Sequence, residues 1–246
     1  MRFWSVLLCA AALSGCATVP GPDASRAAHP ADPWESANRQ IYAFNDAVDE
    51  AFVRPVAEAY GSLVPDLVRT GFTNVLGNIA DAWSSANHFM QGEFRFGVEM
   101  GFRVITNSFF GLAGLLDPAS EMGLTRRSED FGQTLGRWGV GPGPYVVLPL
   151  LGPSTVRDSL AFVVDRQLSA AQILGSGNGR YVMAGLELIN ARTNLLSTTR
   201  LLDQVALDRY SFLREAYLSR RLDQVYNGAP PLQDFEDEFK DEPPAK

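Results

Sequence analysis

Apolar residues recur at helical spacing through most of the chain. Ile41, Phe44, Val48 and Phe52 repeat three or four residues apart, as on the buried face of an amphipathic helix. The same spacing returns in the segments 65–79, 83–90, 93–110 and, in longer stretches, 181–226. Strict alternation of apolar and polar residues, which is typical of strands, is scarce. The sequence therefore predicts a mostly α fold.

Capping and helix-breaking residues predict where the helical region begins and ends. Asp32 is expected to cap the first helix, with Pro33 at the first helical position and Glu35 three residues after the cap. Pro55 is expected to end or kink that helix, because proline lacks the N–H that an inner turn requires. At the other end, Gly228 is expected to stop the last helix.

One segment, 138–156, breaks the helical pattern. It has 19 residues without a charge, among them four prolines and four glycines. Its hydropathy is that of a membrane span, but this number of prolines excludes a continuous helix. Irregular backbone at membrane depth occurs only where it is buried in protein or lines a water-filled cavity. The segment is therefore either a buried loop of a soluble core or an apolar loop beside a membrane-embedded pore.

The start of the chain has the pattern of a bacterial lipoprotein signal. Arg2 supplies a positive charge, and the apolar stretch 3–13 is too short to cross a bilayer as a helix. The residues Leu-Ser-Gly-Cys at 13–16 match the lipobox, so cleavage before Cys16 and lipidation of that residue are expected. Ala17, rather than the aspartate that retains lipoproteins at the inner membrane, predicts an outer-membrane location facing the periplasm.

These signals divide the chain into four regions. Residues 1–15 are the predicted signal peptide, and 16–31 are the lipidated cysteine and a flexible tether. A single helical domain is expected over 32–228, followed by a disordered acidic tail at 229–246. The other cysteine, Cys9, lies in the signal peptide, so a disulfide in the mature chain is not expected.

Charge and histidine content argue against several classes of function. The net charge is −7 and no basic stripe is present, which argues against nucleic-acid binding. His88 is the only histidine of the helical domain, and no Gly-x-Ser-x-Gly motif accompanies it. One histidine without cysteines is a poor basis for a metal site. We therefore expect no enzyme, no cofactor and no metal, with a hydrolase using His88 as the weaker alternative.

Two acidic residues lie seven positions apart on a helix that Ser154 or Thr155 can cap and that is expected to run to about residue 174. The spacing places Asp158 and Asp165 on one face. In one interpretation Asp158 completes a capping pattern with Thr155, and Asp165 pairs with Arg166 or water. In the other, the two acids form a polar stripe that lines a passage.

Two sequence blocks resemble the MlaA (VacJ) lipoproteins. The first, DPWESANRQIYAFND, covers 32–46, and the second, EDFGQTLGRWGVGPGPYVVLPLLGPSTVRD, covers 129–158. The resemblance extends over about 30–228. It implies a ring-like helical domain embedded in the outer membrane, with one irregular Gly/Pro-rich loop.

The resemblance also implies a function and its partners. Family members remove mislocalised phospholipids from the outer leaflet through an amphipathic channel and pass them to a periplasmic carrier protein, in company with trimeric porins. The implied channel-side residues are Asp158, Asp165 and Arg157; the implied pore-loop residues are Gly139, Gly141, Gly143, Pro144, Tyr145 and Pro149. Ser159 and Phe162 stand where the family can carry further acids.

Other classes of function remain as alternatives to transport. A structural lipoprotein that braces porins without moving lipid would share the anchor and the helices. A soluble lipid carrier would leave the membrane once Cys16 could no longer be lipidated.

Overall fold

The computed structural model describes residues 29–230. The predicted signal peptide, Cys16, most of the tether and the acidic tail lie outside these residues. Helices dominate the described part, as the sequence predicts, with one two-stranded sheet beside them. In chain order the elements are α1 (Glu35–Val48), a π-helical segment (Asp49–Val53), α2 (Arg54–Leu63), α3 (Asp66–Met90), α4 (Phe94–Phe109), α5 (Pro118–Glu121), α6 (Phe131–Arg137), β1 (Tyr145–Leu148), β2 (Gly152–Thr155), α7 (Val156–Gln167), α8 (Ala170–Leu174), α9 (Gly179–Val205) and α10 (Arg209–Val225).

The first helical segment starts without the predicted Asp32 cap and continues through Pro55. Asp32 does not cap α1; Trp34 occupies the N-cap position, and the Asp32 side chain is completely buried. Pro55 does not end the helix, because the π-helical segment precedes it and α2 continues from Arg54. The wider π turn accommodates a proline whose ring would clash with the carbonyl four residues earlier in a regular helix.

Helices α3 and α4 pack along each other as a pair. The two helices predicted between residues 65 and 90 are one helix of 25 residues. The interruption in its apolar face is Asp81, which is buried because Arg103 of α4 neutralises it. At the end of α3, Gly92 has φ +77° and reverses the chain into α4, which confirms the helix predicted over 93–110.

The Gly/Pro-rich segment is only partly irregular. Residues 138–144 form neither helix nor strand, as predicted, but β1 and β2 form an antiparallel hairpin in which Tyr145 pairs with Thr155 and Leu148 with Gly152. The prediction of one irregular loop is therefore wrong for 145–155. Leu150 and Gly152, with φ of +62° and +85°, form the tight turn that the prolines obscured in the sequence pattern.

The C-terminal half consists of α7 to α10. Thr155 caps α7 by accepting a hydrogen bond from the Asp158 amide, as proposed from the sequence, but α7 ends at Gln167 rather than near 174. The long helices predicted between 181 and 226 are confirmed as α9 and α10. After α10 the chain turns at Gly228, which has φ +81°.

The distribution of polarity is inverted relative to that of a water-soluble protein. A small apolar cluster contains Tyr145, Val147 and Tyr210. The largest completely buried side chains also include Arg103 and His88. Large apolar side chains are exposed instead, including Phe52, Leu63, Phe94, Val98, Phe102, Ile105, Phe109 and Phe110. Within residues 29–230 no helix is both long and apolar enough to cross a bilayer.

Candidate functional site

Two clefts lie beside α10 and the start of α7. The first, of about 310 Å³, is mainly apolar, and we call it the apolar cleft; its lining includes Gly139, Val140, Gly141, Arg157, Leu218, Arg221, Leu222 and Val225. The second, of about 350 Å³, carries more charge, and we call it the polar cleft; its lining includes Asp130, Leu151, Asp158, Phe162, Asp165, Arg220 and Arg221. The predicted channel-side residues are thus divided between two neighbouring clefts, with Arg157 in the apolar cleft and Asp158 and Asp165 in the polar cleft.

Asp158 is held by three side chains. Its carboxylate accepts hydrogen bonds from Arg157 Nε at 3.0 Å, from Tyr217 Oη at 2.9 Å and from Arg221 Nε at 3.0 Å. Burial by itself would raise the pKa of Asp158, but the hydrogen bonds and charges of Arg221 and Arg157 outweigh it and lower the pKa to about 2. Asp158 is therefore ionised at neutral pH, and Arg157 and Arg221 balance its negative charge.

Asp165 lies in the polar cleft with different partners. Its Oδ1 accepts hydrogen bonds from the Trp83 indole at 2.7 Å and from the Phe131 amide at 2.9 Å. The proposed pair with Arg166 is not formed. Burial raises the pKa of Asp165, and the two hydrogen bonds only partly offset that effect. Of the two acids on this face of α7, only Asp158 is bonded to arginine.

Arg157 faces the apolar cleft from the first turn of α7. Its Nη2 lies 2.9 Å from Asp158 Oδ1, and its Nη1 donates to the Val140 carbonyl at 3.3 Å. The side chain is almost completely buried, so its charge is compensated by Asp158 rather than by water. Arg157 thus ties the irregular segment 138–144 to α7.

The predicted pore-loop residues occupy three different environments. Gly139 and Gly141 line the apolar cleft. Gly143 and Pro144 pack at the start of α7, where the Pro144 carbonyl accepts a hydrogen bond from the Val156 amide at 3.1 Å.

The last two predicted pore-loop residues belong to the hairpin. Tyr145 is buried in β1 against the rings of Tyr210 and Tyr217. Pro149 lies in the exposed turn between β1 and β2. Neither residue lines the two clefts, and a pore role for the six loop positions stays a prediction.

Arg221 is the functional candidate that the sequence did not reveal. Its guanidinium donates to Asp158 at 3.0 and 2.9 Å and to Asp130 at 2.6 and 3.0 Å. Asp130 both caps α6 through the Gln133 amide and binds this arginine. No local signal indicates these pairs, because the partners are separated by 63 and 91 residues.

A second missed network ties the start of the domain to α10. The buried Asp32 carboxylate accepts hydrogen bonds from Asn38 at 2.8 Å, Tyr210 at 2.5 Å and Arg214 at 3.1 Å. The amide oxygen of Asn38 also accepts from the Val147 amide at 2.9 Å. The segment that follows the predicted tether is therefore fixed to the hairpin and to α10.

His88 lacks the surroundings of a catalytic base. It is completely buried, its Nε2 lies 3.3 Å from the Arg127 carbonyl, and its Nδ1 lies 3.9 Å from Glu93. Burial lowers the pKa of His88, so the neutral imidazole is favoured. Within residues 29–230 no hydroxyl group forms a hydrogen bond with it, and no group of three or more His, Cys, Asp or Glu residues could hold a metal ion.

Comparison with known proteins identifies the family. The family model for MlaA lipoproteins matches residues 30–224. The intermembrane phospholipid transport system lipoprotein MlaA of Escherichia coli K12 is 34% identical, over 98% of this chain and 98% of its own length. The corresponding lipoprotein of Haemophilus influenzae is 32% identical, over 91% of this chain and 90% of its own length.

A solved structure supports the same assignment. It comes from work on the structural basis for maintenance of bacterial outer membrane lipid asymmetry, and its chain is 34% identical with a TM-score of 0.67. The match covers 79% of this chain and 98% of that one. On the family match and the near full-length relatives, this chain belongs to the MlaA lipoprotein family.

Proposed function

We propose that this protein removes mislocalised phospholipids from the outer leaflet of the outer membrane and passes them to a soluble periplasmic carrier. The observation that carries this proposal is the inverted polarity of the domain. Phe94, Val98, Phe102, Ile105 and Phe109 recur along the outer face of α4, and each is between 48% and 79% exposed. Such a continuous apolar surface is unfavourable in water and favourable in lipid.

The buried ion pairs of the domain also support this proposal. Arg103, with no exposed surface, is neutralised by Asp81 and Asp117 inside the helical body. A domain that buries the ion pairs of Arg103 and exposes the phenylalanines of α4 fits a position within the acyl chains of a leaflet. We propose that lipidated Cys16 anchors the chain and that the body is partly embedded from the periplasmic side.

The two clefts provide the chemistry that a phospholipid needs. The apolar cleft offers Val140, Leu218, Leu222 and Val225 to an acyl chain, and the adjoining polar cleft offers charged groups to a headgroup. We propose that Asp158, Asp165 and Arg157 belong to this path. Lipid that moves from a place of excess needs no nucleophile and no nucleotide at this step.

The proposed partners follow from the same path. A lipid leaving the embedded body on the periplasmic side needs a carrier that shields its chains from water. A trimeric porin is the proposed membrane companion, with the exposed apolar faces of the helices as the contact surface. The structural alternative, a porin brace without transport, would use the same faces and leave the clefts without a role.

Cells lacking the protein test the proposal. Outer-leaflet phospholipid is measured in the deletion strain, in that strain with the wild-type chain, and in that strain with Asp165→Asn. We expect a rise on deletion, full reversal by the wild-type chain and incomplete reversal by the variant. Glu50→Asn, an exposed acid on the π-helical segment, is the matched control and should restore clearance fully.

One outcome would contradict the proposal directly. If outer-leaflet phospholipid is unchanged on deletion while porin assembly is disturbed, the chain braces porins and does not clear lipid. Porin trimers are therefore quantified in the same strains.

A further inference from the structure

Arg221 separates the apolar cleft from the polar cleft. Its side chain contributes to the lining of both. Along the start of α7, Thr155 and Arg157 face the apolar cleft, whereas Ser154 and Asp158 face the polar cleft. The first turn of α7 and the adjoining stretch of α10 therefore form a wall, and the guanidinium of Arg221 lies within it.

The Arg221 guanidinium stabilises this wall by forming hydrogen bonds in pairs with two carboxylates. Two of its N–H groups bind Asp158 at the start of α7, and two bonds reach Asp130 at the start of α6. The side chain of Arg221 is 11% exposed. Arg221 of α10 thus links the N-terminal ends of α6 and α7 by hydrogen bonds.

Both carboxylates keep partners when Arg221 moves away. Asp158 still accepts hydrogen bonds from Arg157 and from the Tyr217 hydroxyl. Asp130 still accepts from the backbone and side-chain N–H groups of Gln133. Breaking a buried ion pair is most costly when one charge is left alone. That cost is reduced here because both carboxylates keep other hydrogen-bond donors. Arg221 can therefore leave them if a new anion binds its guanidinium.

A phosphate group is the anion that suits this exchange. Guanidinium binds phosphate and carboxylate in the same two-pronged geometry. A glycerophospholipid carries its phosphate between an apolar body and a polar headgroup, which matches a wall with an apolar cleft on one side and a polar cleft on the other. We propose that Arg221 is an ionic latch between the clefts, opened when a lipid phosphate replaces the carboxylates on its guanidinium. The proposal rests on the proposed function and adds a ligand-binding group to its path.

Gly132 on α6 allows the latch to be disturbed without removing a charge. A Cβ at this position would lie 2.6 Å from Asp158 Oδ1 and 2.8 Å from Arg221 Nη2. Gly132→Ala should therefore push the ion pair apart and leave the guanidinium more available. Gly185→Ala on α9 is the matched control, because nothing lies within 4 Å of a Cβ at that position and Gly185 lines neither cleft.

The experiment measures lipid binding to the intact, lipidated protein in mild detergent. The probe is phosphatidylethanolamine with a photoreactive group in one acyl chain, and the readout is its cross-linking to the peptide 218–226. We expect Arg221→Gln to weaken binding about tenfold, as loss of a charge-assisted hydrogen bond predicts. Arg95→Gln, which changes an exposed arginine of α4 outside both clefts, should have little effect. Gly132→Ala should strengthen binding several-fold.

Two further probes identify the ligand. Diacylglycerol with the same photoreactive chain lacks the phosphate and should label the peptide weakly in the wild-type protein. Inorganic phosphate in excess should displace the phospholipid only slightly, because it gains nothing from the apolar cleft. Equal labelling by diacylglycerol, or full displacement by inorganic phosphate, would overturn a lipid-phosphate latch.

A purely structural role for Arg221 gives a different pattern. In that case Arg221→Gln and Gly132→Ala would both weaken labelling, together with a lower unfolding temperature, and the proposal would fail. If Arg221→Gln does not fold, Arg221→Lys keeps the charge and loses the two-pronged geometry, and an intermediate affinity is expected. Wild-type affinity in Arg221→Lys would also overturn the proposal.

The latch and the clearance function can fail separately. Loss of clearance in the deletion strain, together with unchanged lipid binding by Arg221→Gln, overturns the latch alone. Arg221-dependent binding in a protein whose deletion leaves outer-leaflet phospholipid unchanged overturns clearance alone.

Discussion

The two buried charge networks of this protein, around Arg103 and around Arg221, use the same chemistry in different surroundings. Arg103 on α4 is completely enclosed and binds Asp81 and Asp117. Arg221 on α10 also binds two aspartates, but it lines two clefts that a ligand can enter. The difference shows that access, rather than the ion pair itself, separates a structural network from a candidate binding group.

The Arg103 network stabilises a strained turn. Asp117, which Arg103 and Asn107 both contact, follows a turn in which Leu112 and Ala113 have φ of +53° and +58°. Such left-handed conformations are costly for residues other than glycine. The network therefore fixes the exposed apolar segment at the end of α4 in one conformation.

The largest expected effect is the removal of Arg103. Arg103→Met leaves Asp81 and Asp117 with fewer partners in a buried site, so the free energy of unfolding should fall by roughly 3–5 kcal/mol. Denaturant unfolding of the detergent-solubilised protein measures this change. Arg95→Met, an exposed position on the same helix, is the control and should change stability little. A loss below about 1 kcal/mol would show that the network contributes little.

A smaller effect is expected from Asp158→Asn in the Arg221 network. Arg221 keeps Asp130 and Arg157 keeps the Val140 carbonyl, so stability should fall by only about 1–3 kcal/mol. Phospholipid clearance in cells should nevertheless fall. Asp81→Asn is the comparison in the other network, and its effect on clearance should follow its effect on protein level. If Asp158→Asn and Asp81→Asn cleared the same amount of phospholipid per folded molecule, the two networks would not differ in function.

Glu129 lies next to Asp130 and should make stability depend on pH. Burial raises the pKa of Glu129 to about 7, although Gln91 donates a hydrogen bond to it. The folded protein then binds a proton more tightly than the unfolded chain, so this group's contribution is full below the unfolded pKa near 4.5 and is lost as pH rises through 7. Glu129→Gln should be more stable than wild type at pH 8, by roughly 1–3 kcal/mol, and equal at low pH.

Unfolding curves of Glu129→Gln and wild type from pH 5 to 8 check this expectation. Glu50→Gln, at an exposed site, should follow the wild-type curve throughout. Parallel curves for Glu129→Gln and wild type across this range would contradict the burial of an ionisable Glu129.

The smallest effect compares two glycines that pack against arginines. A Cβ at Gly77 would lie 2.8 Å from both terminal nitrogens of Arg126, whose side chain is 32% exposed and whose Nε is paired with Asp81. Gly77→Ala should change stability by less than about 1 kcal/mol, since the gain in helix propensity offsets the displacement. Its lipid binding should equal that of wild type, in contrast to Gly132→Ala. If Gly77→Ala and Gly132→Ala both strengthened lipid binding, the effect of Gly132→Ala could not be attributed to its contact with Arg221.

The helices could be predicted because their signals are local. The spacing of apolar residues indicated α4, α9 and α10, and the Thr155 cap indicated the start of α7. The division of α3 into two helices was wrong because a buried aspartate, neutralised by a distant arginine, looks like a break in the apolar face. The hairpin was missed because its prolines and glycines conceal the short strands.

The candidate site could be predicted only in part, for a related reason. Asp158 and Asp165 do share a cleft, as their spacing on one helix indicates. Their partners Arg221 and Trp83 come from elements 63 and 82 residues away, and no local pattern reveals them. The role of Asp32 was misjudged likewise, since its partner Tyr210 is 178 residues distant.

The most direct test of phospholipid removal uses the purified, lipidated protein in vesicles. Fluorescent phosphatidylethanolamine is placed in the vesicle membrane, and its transfer to a soluble lipid-binding acceptor is followed over time. We expect the wild-type chain to accelerate transfer and Arg221→Gln to reduce that acceleration. Transfer at the rate of protein-free vesicles, with a folded protein present, would contradict the account.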